Sequence, residues 1–447
     1  MSEPAITLTA AQLQKPLAIH VPRQRWFGGA EHRLSSLEVA SVRDVGDGLT
    51  HVLVETTLDG GEQRALYQLL LGARDPDEAD SLDFLEGKAD AVVGELGGSL
   101  IYDATVDPVL ALRLLHVVAP TEEAARARVM TAEQSNTSVV YDERLILKLF
   151  RRLADGPNPD AEVTRALVRV GFSNVAEPVA EWQEDGRDLA VVNHFLAGAT
   201  DGFSLALTSL RDLFDSGGKP EEAGGDFAPD ARRLGIITGK LHLALAEAFG
   251  TSPGDASAWA DDMVTHLDRV TLDPPLVEAV RANYDRLRQV ADPGPAVRVH
   301  GDYHLGQVLR TDTGWFVLDF EGEPDRPLEE RRRPSSPMRD VAGMARSFHY
   351  AAEVARRDWD HGDHETTEAL ADAWRRRNAF AFVEGYLAAD DVDAVVPADD
   401  DDRQAVLAAF ELDKAVYEVG YEQGHRPDWV GIPLAAVREI VGTQETP

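Results

Sequence analysis

The chain has no cysteine, which excludes disulfides, thiolate nucleophiles and cysteine-ligated zinc. No stretch approaches the ~20 apolar residues needed to cross a bilayer. Met1 to His20 lacks the basic start and apolar run of a signal peptide, so the sequence reads as cytoplasmic. Positive charge is also scarce. There are 44 Lys plus Arg against 78 Asp plus Glu, a formal charge of −34. Such a field repels phosphate backbones and anionic lipid surfaces, so neither nucleic acid nor membrane is an expected partner. Hydrophobic residues make up 44% and charged residues 27%, proportions that place the chain among globular rather than disordered proteins. At 447 residues it exceeds one ordinary core, and two or three subdomains are expected.

The pattern divides the chain at about residues 1–110, 111–196 and 197–447. The first part alternates apolar and polar residues at Leu37–Val42 and His51–Glu55, with Asp59-Gly60-Gly61 as a turn before Ala65–Leu71, so meandering strands are expected. In the second, Ser138–Tyr141 and Leu145–Phe150 flank Asp142-Glu143-Arg144 as a β-hairpin, and Asp188–Asn193 reads as a further strand. Beyond Gly198, helical spacing dominates at Ala231–Phe249, Leu276–Val290, Asp340–Arg357, Thr366–Leu387 and Arg403–Tyr421. The expected fold class is α+β, strand-rich first and mostly helical afterwards, with a cleft between two lobes. The stretch from Gly217 to Gly225 and the Asp399–Asp402 run read as exposed loops, and His20 and His32 as surface residues.

One constellation carries chemistry. His300-Gly301-Asp302-Tyr303-His304-Leu305-Gly306-Gln307 is followed by Leu318-Asp319-Phe320-Glu321-Gly322-Glu323-Pro324. The β-like pieces 296–300 and 315–320 suggest a two-stranded ribbon with Asp302 and Asp319 at its mouth. Phosphoryl transfer needs a carboxylate to orient an attacking hydroxyl and oxygen ligands to hold Mg²⁺ on nucleotide phosphates. Asp302 suits the first role. The Gln307 carbonyl and the Asp319 carboxylate suit the second, with Glu321 a further ligand. His300 and Gly301 shape the loop that aims Asp302, and Tyr303 lies beside it on the acceptor side. A lone Gly-Asp is usually a turn; two carboxylates each meeting an apolar run, with an amide five residues after the first, are a rarer combination.

This His-Gly-Asp-x-His-x-x-Gln and Leu-Asp-Phe-Glu-Gly-Glu-Pro pattern resembles the aminoglycoside-phosphotransferase-like kinases, with Gln307 where many have Asn. The Glu-Gly-Glu-Pro tail and Pro22-Arg23-Gln24-Arg25-Trp26-Phe27-Gly28-Gly29 resemble bacterial maltokinases and their close relatives, a likeness running from about Pro22 to Leu434. The resemblance implies a protein-kinase-like fold that uses ATP and Mg²⁺. It implies Lys148, inside an apolar strand, as the nucleotide-phosphate lysine with Glu162 as its partner. Gln134 to Ser138, including Ser135, Asn136 and Thr137, takes the place of a phosphate-covering loop, and Asn193 to Leu196, with Phe195, that of the adenine hinge.

The acceptor is sought at the end of the chain. Glu411 to Glu422 reads as helix, with Glu411, Lys414 and Glu418 on one face and Asp413, Tyr417 and Tyr421 on the next. The helix is expected to end at Gly424, before Pro427 and Trp429. Such charged faces are often only solvated ion pairs. The maltokinase resemblance implies that this helix and its Arg-Pro-x-Trp tail line the acceptor pocket. Gln423-Gly424-His425 departs from the maltokinase pattern, and a related actinobacterial group phosphorylates glucosamine, whose ammonium suits carboxylates at 411, 413, 418 and 422. The expected reaction is therefore phosphorylation of a small-molecule sugar, glucosamine at its 6-hydroxyl, with maltose at its anomeric hydroxyl as the alternative and an aminoglycoside as a more distant one. A non-catalytic reading is disfavoured because Lys148, Asp302, Gln307 and Asp319 are all present.

Overall fold

The computed structural model describes residues 8–27, 34–58, 63–77, 82–130, 135–222, 225–323, 326–361 and 363–443. Gly28, Gly29, His32, the Asp59–Gly61 turn, Gln134, part of the Gly217–Gly225 loop and Pro324 lie outside them. The chain forms two units, residues 1–162 with 176–197, and residues 163–175 with 198–447.

The first unit holds two antiparallel sheets. One runs in the order Leu34–Gly46, Leu49–Leu58, Gln63–Arg74, Ser99–Asp103 and Val92–Leu96, with the short strand Arg152–Leu153 also on Gln63–Arg74. The other runs Pro178–Glu184, Arg187–His194, Leu145–Leu149, Thr137–Tyr141 and Ala127–Val129. The expected hairpin is present, with Tyr141 opposite Leu145 and Thr137 opposite Leu149. Asp142 (φ 49°) and Glu143 (φ 53°) both take left-handed backbone, the twist that suits a tight hairpin turn. Two helices accompany the strands where the alternation reading missed them, one ahead of the first strand and one between the sheets. Ala10–His20 starts on a capping box between Thr9 and Gln12. Pro108–Val118 starts on Asp107, which accepts from the Val109 and Leu110 backbone N–H groups, with Pro108 in the first turn.

The second unit is helical: Gly202–Ser216, Ala228–Phe249, Ala256–Leu267, Pro274–Leu287, Met338–Asp358, His364–Leu387, Asp400–His425 and Gly431–Thr443. All five helices expected from periodicity are among them. One apolar core runs through this unit and includes Trp315, Trp374, Phe348 and Phe382. Two glycines set the closest helix crossing. A Cβ on Gly235 would lie 2.1 Å from the Phe382 carbonyl, and one on Gly385 would lie 2.1 Å from the Arg232 carbonyl, so no larger residue fits this backbone approach.

Four expectations are corrected. The pieces around 296 and 315 do not pair with each other: Pro295–Val297 pairs with Thr251–Pro253, and Gly314–Val317 pairs with Val308–Thr311. The Asp399–Asp402 run is not a loop. Asp399 caps Asp400–His425 and Asp400, Asp401 and Asp402 fill its first turn, where carboxylates favour the helix dipole. That helix ends one residue later than expected, at His425. His20 is buried, at 4% exposure. Among the described residues no helix is long and apolar enough to cross a membrane.

Candidate active site

The second unit brings the catalytic segment together around one buried carboxylate. Asp340, in the first turn of Met338–Asp358, accepts from the backbone N–H of His300 (2.7 Å) and of Gly301 (2.9 Å). His242 Nε2 lies 3.0 Å from the same carboxylate, and His242 Nδ1 lies 2.9 Å from the Tyr386 hydroxyl. Burial alone would push the Asp340 carboxyl up; the His242 hydrogen bond, neighbouring imidazoles and the Gly301 N–H hold it below its ordinary value. This anchor fixes a loop whose Gly301 has φ 87°, a conformation glycine adopts without strain.

His300 links that loop to the second half of the motif. Its Nε2 meets the Leu318 carbonyl at 2.8 Å, so Nε2 carries the proton and Nδ1 accepts from the Asp302 N–H at 3.4 Å. Asp302 and Asp319 thus share a neighbourhood through this imidazole rather than through a common ribbon. Tyr303 points into the core, its hydroxyl 2.9 Å from Thr238 Oγ1.

Lys414, from the Asp400–His425 helix, donates to Asp302 Oδ1 at 3.0 Å and to Glu323 Oε1 at 2.8 Å. Asp302 Oδ2 has no hydrogen-bond donor among the described residues; His304 Nε2 stands 3.9 Å away. The Asp302 side chain remains 21% exposed. Glu323 is buried and ringed by Lys414, Arg326 and Arg339. Burial would raise its carboxyl, but these three cations hold it well below the usual carboxylate range. Burial likewise opposes the Lys414 charge, and Glu323 with Asp302 keeps it protonated far above its ordinary value. Glu323 and Asp340 were given no role in the sequence reading. The signal for Glu323 was a carboxylate repeated four residues after Asp319; for Asp340 it was an acid opening an otherwise apolar-faced helix.

Gln307 and Asp319 are neighbours, with Gln307 Nε2 3.4 Å from Asp319 Oδ2. Asp319 has φ 62°, in the left-handed region, and its oxygen lies within 4.8 Å of one from Glu321. A carboxamide carbonyl and two half-buried carboxylates form an oxygen donor set that fits a hard divalent cation.

The other acids of the acceptor helix turn inward. Asp413 is 3.2 Å from His266 Nδ1 and 3.8 Å from Arg326. Glu418 is 2.6 Å from the buried Arg346. Glu422 accepts from the Tyr350 hydroxyl (2.9 Å) and from Arg426. Glu411 lines a cavity of about 350 Å³ with Arg346, His349, Arg375 and Glu439, and neither Asp302 nor Lys414 belongs to that lining. Burial pushes the Glu411 carboxyl up to about 7. Tyr417 lies beneath the Lys414 ammonium, 4.7 Å from its ring centroid. Trp429 stacks on Tyr350 and under Arg357 and Arg426.

In the first unit, Lys148 on Leu145–Leu149 donates to Asp160 Oδ2 at 2.9 Å, an acceptor that the sequence reading did not name; Glu162 follows two residues later on the same helix. Ser138 sits opposite Lys148 in the hairpin register, and its carbonyl accepts from Met130 N–H. Asn136 Nδ2 donates to the Ser135 hydroxyl at 3.2 Å. The strand Arg187–His194 ends next to Phe195, whose N–H donates to the Arg144 carbonyl at 2.8 Å, and whose ring lies under Arg128. Asn193 is opposite Ile146.

Comparison with known proteins supports the fold and the family. The family profile described as the maltokinase N-terminal cap domain matches residues 20–107. Solved glucosamine kinase structures share the fold, one with a TM-score of 0.69 at 23% identity over 98% of both chains. Another, in complex with glucosamine, ADP and inorganic phosphate, has a TM-score of 0.64 over 97% of this chain and 100% of that one. The fold is thus that of a kinase-like α+β protein. A glucosamine kinase from Streptacidiphilus jiangxiensis is 31% identical over 366 residues, 76% of this chain and 78% of that protein. One from Mycolicibacterium smegmatis is 28% identical over 72% of this chain and 81% of its own length. The chain belongs to the glucosamine kinase family.

Proposed function

We propose that this chain transfers the γ-phosphoryl group of ATP to the 6-hydroxyl of glucosamine, giving glucosamine 6-phosphate and ADP. The observation that carries the reading is the 3.0 Å contact between Lys414 and Asp302 Oδ1. It ties the acceptor helix to the catalytic loop and leaves Oδ2 for a substrate hydroxyl. In the reaction the sugar oxygen forms a bond to Pγ as the bond from Pγ to the β,γ-bridging oxygen breaks. Asp302 Oδ2 orients the hydroxyl and takes its proton. Lys414, charged at all working pH values, holds the carboxylate in one rotamer without competing for that oxygen. Gln307, Asp319 and Glu321 would hold Mg²⁺, which when bound neutralises phosphate charge. Lys148, kept in place by Asp160, would meet the nucleotide phosphates, with Ser135 to Ser138 as the phosphate segment and Asn193 to Phe195 at the base.

Family membership supports glucosamine as the acceptor. The acidic acceptor helix supports it less than expected, since Asp413, Glu418 and Glu422 are already paired with cations. The cap-domain match over residues 20–107 favours maltose, phosphorylated at its anomeric hydroxyl, as the second reading. The test is ADP release with ATP and Mg²⁺ in parallel reactions with glucosamine and with maltose. Turnover with glucosamine alone is expected; turnover with maltose alone replaces the acceptor.

A further inference from the structure

Arg151 is 1% exposed, and a buried guanidinium persists where its charge is paired; its Nε and Nη2 are partnered, while Nη1 has no hydrogen-bond partner among the described residues. Its partners come from three separate segments of the first unit. Nη2 pairs with Asp103 Oδ2 at 2.6 Å and donates to Thr105 Oγ1 at 3.3 Å, both at the end of the first sheet. Nε donates to Thr137 Oγ1 at 2.8 Å, at the start of a strand of the second sheet. The guanidinium also lies 5.2 Å from the Trp26 ring centroid. The Arg151 carbonyl accepts from the Gln68 N–H at 2.9 Å, and the Gln68 side chain donates to the Phe150 and Leu189 carbonyls. Main chain and side chain together make this residue a bolt between the two sheets. His20, buried in the same unit, has its protonation driven down chiefly by burial.

Thr137 lies within the segment Ser135–Ser138 and sits opposite Leu149, one position from the Ser138–Lys148 pair. Side chains alternate along a strand, so Thr137 shares the buried face of Leu149 while Ser138 shares the other face with Lys148; holding the Thr137 hydroxyl from behind, Arg151 fixes the main chain that presents Ser138. We propose that Arg151 is a positioning residue for nucleotide binding: through Thr137 it sets the phosphate segment and couples it to the first sheet. This rests on the reading above that Ser135 to Ser138 and Lys148 receive phosphates, and it gives the N-terminal sheet a role in nucleotide affinity.

The test is a double-mutant cycle on the full chain, read by Kd for a fluorescent N-methylanthraniloyl-ADP with Mg²⁺, by KM for ATP and glucosamine, and by Tm. Arg151→Lys keeps a cation beside Asp103 and so guards against simple unfolding; Thr137→Val removes only the hydroxyl. Each is expected to weaken nucleotide binding by about 5–10-fold, the scale of one charge-assisted hydrogen bond, with KM for glucosamine unchanged. The double variant is expected to be no weaker than either single one, since both remove the same link. Additive losses, unchanged affinity in Arg151→Lys, or a loss confined to one of the two singles overturns the role of Arg151. A wild-type chain that binds no Mg²⁺-nucleotide overturns the proposed function itself, and the coupling with it.

Discussion

The catalytic segment 300–323 and the acceptor helix 400–425 are both rich in carboxylates, yet they use them in opposite ways. In the first, Asp302 presents an oxygen with no hydrogen-bond donor among the described residues, and Asp319 stands beside Gln307 and Glu321 as an oxygen cluster. Glu323 is the exception, spent on Lys414, Arg326 and Arg339. In the second, Asp413 lies 3.8 Å from Arg326, and Glu418 and Glu422 pair with Arg346 and Arg426, and the residue that reaches the catalytic loop is a base, Lys414. Acidic composition therefore says little about which carboxylates face a ligand. Pairing decides it, because a carboxylate already satisfied by a buried arginine gains little from a second cation.

Variants can break or sharpen this contrast. The largest effect is expected for Asp302→Asn, which removes the proposed proton acceptor: kcat falls by about 10²–10⁴-fold, while Mg²⁺-nucleotide affinity measured by fluorescence titration stays near wild type. Normal turnover would place the base elsewhere. Asp340→Ala strands the His300 and Gly301 N–H groups and His242, so unfolding in denaturant should show a loss of about 3–5 kcal/mol. Lys414→Met removes the link between the two regions and leaves Glu323 with two cations. The expected result is a loss of about 10–100-fold in kcat/KM for the sugar with a smaller change in KM for ATP, on the scale of truncating one partner of a buried charge pair. An equal effect on both substrates would mean that Lys414 serves stability alone.

The smallest effect concerns Glu411, the acid that lies apart from both sets. Its carboxyl is raised from 4.5 to about 7 by burial, so the folded state binds a proton that the unfolded state has already released. Its contribution to stability is then undiminished below about pH 4.5 and declines as pH rises towards 7. Glu411→Gln should match wild type near pH 5 and be more stable at pH 8 by about 1–3 kcal/mol, read as a Tm difference that grows with pH. A difference independent of pH would show that Glu411 is ionised throughout. If the cavity around Glu411 is instead part of the acceptor site, this variant would raise KM for the sugar, which the observed lining gives no reason to expect.

Much of the fold was legible because its signals are local. The Ser138–Phe150 hairpin announces itself by apolar runs around a three-residue polar turn, and the long helices by their period. Pairing was not legible: the short runs near 296 and 315 carry nothing that names Thr251–Pro253 or Val308–Thr311 as partners. Helix Ala10–His20 was missed because Pro16 and its mixed face obscure the period, and the Asp399–Asp402 run because four acids resemble a loop unless the following helix's dipole is considered. Within the site, Asp302, Gln307 and Asp319 stood out by spacing. Asp340 did not, since an acid that anchors backbone N–H groups from 40 residues away has no local signature. His20 looked like a surface residue for the same reason, its burial coming from a strand some 70 residues on.

The most direct test of the central claim is the product itself: ¹H–³¹P correlation NMR of the full chain's reaction with ATP, Mg²⁺ and glucosamine. The account predicts phosphorus coupled to the two C6 protons of the sugar. Phosphorus coupled to the anomeric proton, or no sugar phosphate beside normal maltose turnover, would contradict it.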